Sequence, residues 1–156
     1  MDELIINIDS NKNWPLEGRV YSDLFKHHIN FFAEHRDVEY AKACAEYLNL
    51  FSSDLIDQLC RASIRYCNEF LEEVGEPVIE FASIRDVLKI VSPNFINIPE
   101  PNENKNPVIH MDLNCEWEPE HGMEWIIRDG EVLYVGQYSA EDPWADYSVK
   151  DKWNYA

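Results

Sequence analysis

The chain has 156 residues, with 30 Asp and Glu against 13 Lys and Arg for a net charge of −17, and it is 46% hydrophobic and 13% aromatic. That length suits one domain with its own core, needing neither a metal nor a disulfide to fold, and the apolar content is too high for a disordered acidic chain. The charge repels phosphate backbones and anionic membranes, which argues against direct nucleic-acid or membrane binding, and it attracts basic protein surfaces.

Leu4 to Ile8 is a short β-prone run, closed by the turn-rich residues Asp9 to Asn13. Gly18 to Tyr21 and Lys26 to Ala33 read as two strands joined by Ser22 to Phe25, because Ile29, Phe31 and Ala33 alternate. A helix over 22–34 competes, since Leu24, Phe25, His28, Ile29 and Phe32 also fit a 3.6-residue period. Asp37 is placed to cap a helix that carries Val38, Ala41, Cys44, Ala45 and Leu48 on one face. Ser53 is expected to cap a longer one, with Asp54 in its first turn and Gly75 just past its end. Its apolar stripe of Ile56, Leu59, Cys60, Ser63, Cys67, Phe70, Leu71 and Val74 is widened by Leu55, Ala62 and Tyr66, so burial on more than one side follows. A third helix is expected from Ser83 to before Pro93, and a short strand over 95–98.

From Pro107 the period changes to two. Ile109, Met111, Leu113, Cys115 and Trp117 point to one side, and His110, Asp112, Asn114 and Glu116 to the other. Residues 118–122 form a turn, and Asp129-Gly130 marks a two-residue hairpin between strands 123–128 and 131–137. After Tyr138 no firm element is visible. The prediction is a single α+β domain over 1–156, in which an antiparallel sheet packs on two to three helices. The sheet would comprise N-terminal strands and a C-terminal three-stranded meander.

No catalytic signature appears: there is no glycine-rich phosphate loop, no GxSxG, no HExxH and no CxxC. Cys60 and Cys67, seven residues apart, stack on one helix face as apolar fillers. His27 and His28 fall on opposite faces of their strand. His110 and Asp112, with Glu118, Glu120 and His121 in the next turn, match no known metal-ligand spacing, so no metal or cofactor is expected. Asp112 and Glu116 would stand roughly 13 Å apart at ~3.3 Å per residue, beyond the ~5–9.5 Å of a glycosidase pair. The start Met1-Asp2-Glu3 lacks a basic n-region, and no apolar run nears ~18 residues, so a cytoplasmic location is expected.

The charge is unevenly spread. Residues 100–146 hold twelve Asp or Glu against Lys105 and Arg128, interleaved with Trp117, Trp125, Tyr134, Tyr138 and Trp144. Trp117 and Trp125 are in phase with the core. That leaves Asp112, Glu116, Glu118, Glu120, Asp142, Trp144 and Asp146 as the candidate partner-binding residues, with Tyr147 beside them. Carboxylates there would steer a basic protein and aromatics would anchor it. The acids of 69–80 (Glu69, Glu72, Glu73, Glu76 and Glu80) serve as the contrasting set outside that face.

The stretch Trp117-Glu-Pro-Glu-His-Gly122, followed by Asp129-Gly130, resembles a bacterial domain family of unknown function with a Trp-x-x-Glu-His-Gly turn and a following Asp-Gly hairpin. Its members occur beside polymorphic toxins and contact-dependent inhibition systems, which implies immunity proteins. The resemblance is close over about 110–138, looser over Val38 to Val74, and departs around Ser22 to Lys26. It implies no activity and assigns no catalytic residue. It does imply a sharp chain return at Gly122 and a His121 imidazole bonded to backbone or to a neighbouring carboxylate. The expected function is therefore non-enzymatic: an immunity-like protein that occludes the basic active surface of a toxin, plausibly a nuclease. The alternatives are an acidic scaffold domain whose charge serves solubility and, behind it, a small metal-dependent hydrolase.

Overall fold

In the computed structural model, which describes residues 3–9 and 15–156, both residues of the 129–130 turn have positive φ, 56° and 73°. That backbone matches the twist of the strands it joins, β6 (Met123–Arg128) and β7 (Glu131–Gln137), so Asp129-Gly130 sets their register. β5 (Val108–Cys115) pairs antiparallel with β6, completing the expected meander.

The meander is part of a larger sheet. β1 (Ile5–Ile6), β2 (Leu16–Ser22), β3 (His27–Ala33) and β4 (Val91–Ile98) extend it to seven strands in chain order. Region 16–33 is thus a hairpin rather than a helix, with Ile29, Phe31 and Ala33 buried on one side. Of the turn-rich run after Ile8, residues 10–14 lie outside the described residues.

Every neighbouring pair is antiparallel except β3 and β4, which run parallel through Phe31–Ala33 and Ile96–Ile98. A parallel pair needs a long crossover, and the helices supply it. α1 (Val38–Leu48) packs over β2 and β5, and α2 (Ser53–Glu73) over β7. Asp37 caps α1 by accepting from the Tyr40 amide at 3.0 Å. The cap of α2 is Ser52, one residue earlier than expected, and its hydroxyl accepts from the Leu55 amide at 3.1 Å. At the far end Gly75 has φ 78°, and the Glu76 amide donates to Leu71 O at 2.8 Å, a Schellman closure.

Two expectations need correction. The third helix is a 3-10 helix, Ile84–Ile90, whose Asp86 carboxylate accepts from the Ser83 amide at 3.1 Å. Strand β4 then begins at Val91 and includes Pro93, which sequence reading places outside it. Pro93 is tolerated because β3 pairs only with residues 96–98, so no ladder bond is asked of its nitrogen on that side, and the register shifts directly after it.

The main core lies between the sheet and the helices. Ile109, Met111, Leu113 and Trp117 are buried there, as their phase requires. Trp125 donates its indole N–H to Ser63 Oγ of α2 at 3.1 Å, and Ser63 Oγ donates onward to Leu59 O at 2.7 Å, so neither buried polar group is left unpaired. All four cysteines are buried and free; burial pushes the Cys60 and Cys67 thiols up to about 11 and Cys115 to about 12, which keeps them protonated at neutral pH. Val74, expected on the apolar stripe, is exposed at the end of α2.

The opposite face of the meander is also covered. Val108, Ile126 and Tyr134 form a second apolar cluster, closed by Trp144 and Tyr147 from the chain after β7. Among the described residues no helix is long and apolar enough to cross a membrane.

Candidate functional site

Along the last turns of α2, Tyr66, Glu69, Phe70 and Glu73 follow the i, i+3, i+4, i+7 spacing that puts them on one helix stripe. That stripe faces two other segments: the 118–121 turn between β5 and β6, and the C-terminal tail bearing Lys152, Trp153 and Tyr155. Between them lies a groove of two adjoining clefts, of about 230 and 360 Å³, that share Phe70 and Gln137 in their walls; Glu69 and Glu73 line the first and Glu120 the second.

Each wall is fixed by specific bonds. Glu118, nearly fully buried, accepts from the amides of Glu120 (3.0 Å) and His121 (3.2 Å) and pairs with His121 Nδ1 at 2.7 Å. The neighbouring carboxylate expected to bond His121 is therefore Glu118. Gly122 has φ 78°, and a Cβ there would lie 2.5 Å from Leu113 O, so only glycine turns the chain at this point. The Gly122 carbonyl accepts from the Tyr66 hydroxyl at 3.2 Å, which ties the turn to α2.

The tail docks like a short strand on the free edge of β7. Asn154 Oδ1 accepts from Val135 N at 3.2 Å, Asn154 Nδ2 donates to Leu133 O at 2.8 Å, and Tyr155 N donates to Val135 O at 2.8 Å. Arg65 of α2 donates twice to Tyr155 O, at 3.1 and 2.6 Å. The Tyr66 and Tyr155 rings then stand 5.5 Å apart, and Tyr66 meets Phe70 edge-on at 6.5 Å.

Lys152 lines the first cleft together with Glu69 and Glu73. Among the described residues no Lys or Arg forms an ion pair with Glu69, Glu73 or Glu120. Burial, then the charge of Glu69 and its hydrogen bond with the phenol, and then the charge of Glu73, push the Tyr155 phenol up to about 12. Trp153 is 50% exposed at the opening. Aromatic rings with carboxylates beside them suit a cationic group that is itself flat or carried on an apolar stem.

The seven residues singled out in the sequence do not share one surface. Glu118 and Glu120 belong to the groove, and Glu118 is occupied in closing its turn rather than facing a partner. Glu116 is exposed just before that turn. Asp112 lies on the other sheet face, half-buried, accepting from Asn94 Nδ2 at 3.1 Å. Asp142 and Asp146 are exposed and shape their own loop, accepting from the amides of Trp144 and Ser148, each at 2.9 Å. Trp144 is held within the fold: its indole N–H donates to Glu100 O at 2.9 Å, and the Arg128 guanidinium lies 5.8 Å from its ring centre. Glu69 and Glu73, two of the five acids in the contrasting set, line the first cleft, and Glu120 lines the adjoining one.

Two clusters resemble chemical centres and are better read as structure. Ligand atoms of Glu118, Glu120 and His121 lie within 4.8 Å of one another, a metal-compatible spacing, but Glu118 and His121 already satisfy each other. On the covered sheet face His110 Nε2 hydrogen-bonds Glu124 Oε2, both residues being buried. Glu124 also accepts from the amides of Ser139 (3.0 Å) and Glu141 (2.9 Å), which fastens the chain that returns over this face.

Asp112 sits beside this pair. Burial first, and then the Glu124 carboxylate, raise its pKa, against a lowering from Asn94. A carboxyl raised above its unfolded value destabilises the fold once ionised, so stability falls as pH climbs from about 4 through the raised value. Asp112→Asn should therefore be at least as stable as wild type in urea at pH 7, and that advantage should vanish below about pH 4. A lower urea midpoint for the variant at pH 7 would show that the charge itself is needed.

No curated protein and no solved structure matches the chain. A family model, described as Domain of unknown function (DUF6985), matches residues 4–142, a span that contains every strand and helix among the described residues and ends before the tail that lines the first cleft. The chain belongs to this DUF6985 family.

Proposed function

We propose that the protein is a non-enzymatic binding protein that captures a basic protein surface in the groove between α2, the 118–121 turn and the C-terminal tail. The observation that carries this reading is that Glu69 and Glu73 line an aromatic cleft and Glu120 the adjoining one, none of them in an ion pair with Lys or Arg among the described residues, in a chain of net charge −17. Burying a cation against such a site gains from both the ring faces and the carboxylates, while the local field of these acids speeds encounter. In its specific form the reading is immunity-like: the acids take the place that substrate phosphates occupy on a toxin of basic active surface, such as a nuclease, and so block it. A cytoplasmic location goes with that role.

The test is co-purification with a basic protein encoded in the genomic neighbourhood. Wild type should retain that protein, and a triple variant with Glu69→Lys, Glu73→Lys and Glu120→Lys should lose it. Equal retention by both would contradict the groove as the binding site.

A further inference from the structure

We infer that the C-terminal tail is a latch over the β7 edge of the sheet, and that unlatching it lets β7 pair with β7 of a second copy of this chain. Among the described residues the seven-stranded sheet has two edges, β1 and β7. An unpaired edge offers a row of N–H and C=O groups to any other strand, so it needs blunting. β1 is blunted by its length of two residues. β7 is seven residues long, and residues 132–140 carry neither a charge nor a proline in a chain of net charge −17. An uncharged run rich in Val, Leu and Tyr has the composition that pairs with its own copies.

The tail blunts this edge by imitating a strand. The outward-facing groups of β7, Leu133 O, Val135 N and Val135 O, bond to the tail. Asn154 makes two of those bonds with one side chain, because its amide offers the donor and the acceptor of a peptide group. Arg65 holds the next residue by donating twice to the Tyr155 backbone carbonyl. The seat is shaped for this segment: a Cβ at Gly136 would lie 2.6 Å from Trp153 O, so glycine is what lets the tail backbone come this close. None of these bonds belongs to the β6–β7 ladder, so the latch can open while that ladder stays paired. A second β7 fits the opened edge by symmetry. Centred on Tyr134 about a two-fold axis, Leu133 of each copy faces Val135 of the other, and the strand's one charged residue, Glu131, falls opposite Gln137. The opposing force is repulsion between two acidic chains, which salt screens.

The test compares the full chain with a double variant, Arg65→Ala with Asn154→Ala, which leaves only the Tyr155 N bond between tail and β7. Sedimentation and amide exchange are followed from dilute to concentrated solution at about 0.1 M and 1 M salt, where the Debye length falls from ~10 Å to ~3 Å. Wild type should stay monomeric, with the Val135 amide protected at every concentration. In dilute solution the variant should exchange Val135 about tenfold faster, the worth of roughly one hydrogen bond. The Trp125 indole N–H, bonded to Ser63, should keep its NMR position and so report an intact core. On concentration the variant should dimerise, more readily at the higher salt, and Val135 should become protected again. Unchanged Val135 exchange in the variant would show that the tail does not close the edge. A variant that stays monomeric at the higher salt, a dimer that leaves Val135 fast, or a wild type that associates equally would overturn pairing through β7.

Discussion

Replacing Glu124 with alanine should lower the unfolding free energy by about 3–5 kcal/mol, the range for removing one member of a buried charged or hydrogen-bonded pair. Three donors depend on this carboxylate: the His110 ring and the amides of Ser139 and Glu141. A buried donor left without an acceptor costs about 1–3 kcal/mol, and a void adds to that. His110 is poorly placed to compensate, because its other ring nitrogen, Nδ1, is also buried without a partner. The loss would be a large share of a domain's ~5–15 kcal/mol.

Two further readouts separate this from a general weakening. Hydrogen exchange should rise first at Ser139 and Glu141, because their amides lose their acceptor while the α2 face of the sheet keeps its packing. Glu124→Gln should cost less than alanine, since its amide oxygen can still accept. A change below about 0.5 kcal/mol for Glu124→Ala, the size of an ordinary surface substitution, would show that the buried pair does not hold the returning chain.

Much of the fold was legible because its signals are local. Asp129-Gly130 specifies a hairpin by its backbone, Asp37 and Gly75 mark helix ends by their chemistry, and residues 109–117 alternate cleanly. Segment 22–34 was ambiguous because its apolar residues fit both periods; burial of Ile29, Phe31 and Ala33 against the helices decided for a strand. The cover over the second sheet face was foreshadowed by β6, whose Trp125-Ile126-Ile127 run breaks alternation as a strand buried on both faces does.

The groove was not legible, and the reason is tertiary. Tyr66 and Phe70 read as core because their spacing continues the apolar stripe, and Glu69 and Glu73 stand far in sequence from the C-terminal acids. Docking of the tail through Asn154 and Tyr155 brings residues 152–155 to 66–73, and the Tyr66–Gly122 bond holds the 118–121 turn there. Trp144 was attractive for the opposite reason: it follows β7 in a segment with no predicted element, and a chain folded back onto the sheet gives no periodic signal.

Charge reversal at the groove should have the largest effect on binding. Glu69, Glu73 and Glu120 are exposed, so changing them to lysine should leave stability within about 1 kcal/mol, as for other exposed charges. It should slow association with the basic partner by about tenfold or more, because electrostatic steering contributes 10–10³ to on-rates. Dissociation should respond instead to the aromatic anchor, so Trp153→Ala should raise the off-rate with little change in the on-rate.

The direct measurement is the association rate constant for that partner, taken by stopped flow at about 0.1 M and 1 M salt, where the Debye length falls from ~10 Å to ~3 Å. Wild type is compared with the groove triple reversal and with a reversal of Glu34, Glu46 and Glu103, three exposed acids outside the groove that bring the chain to the same net charge. Wild type and the second variant should associate at similar rates, both slowing sharply with salt, while the groove variant is already slow at 0.1 M and nearly insensitive to it. Equal slowing of the two variants would contradict a local site and leave net charge alone as the cause.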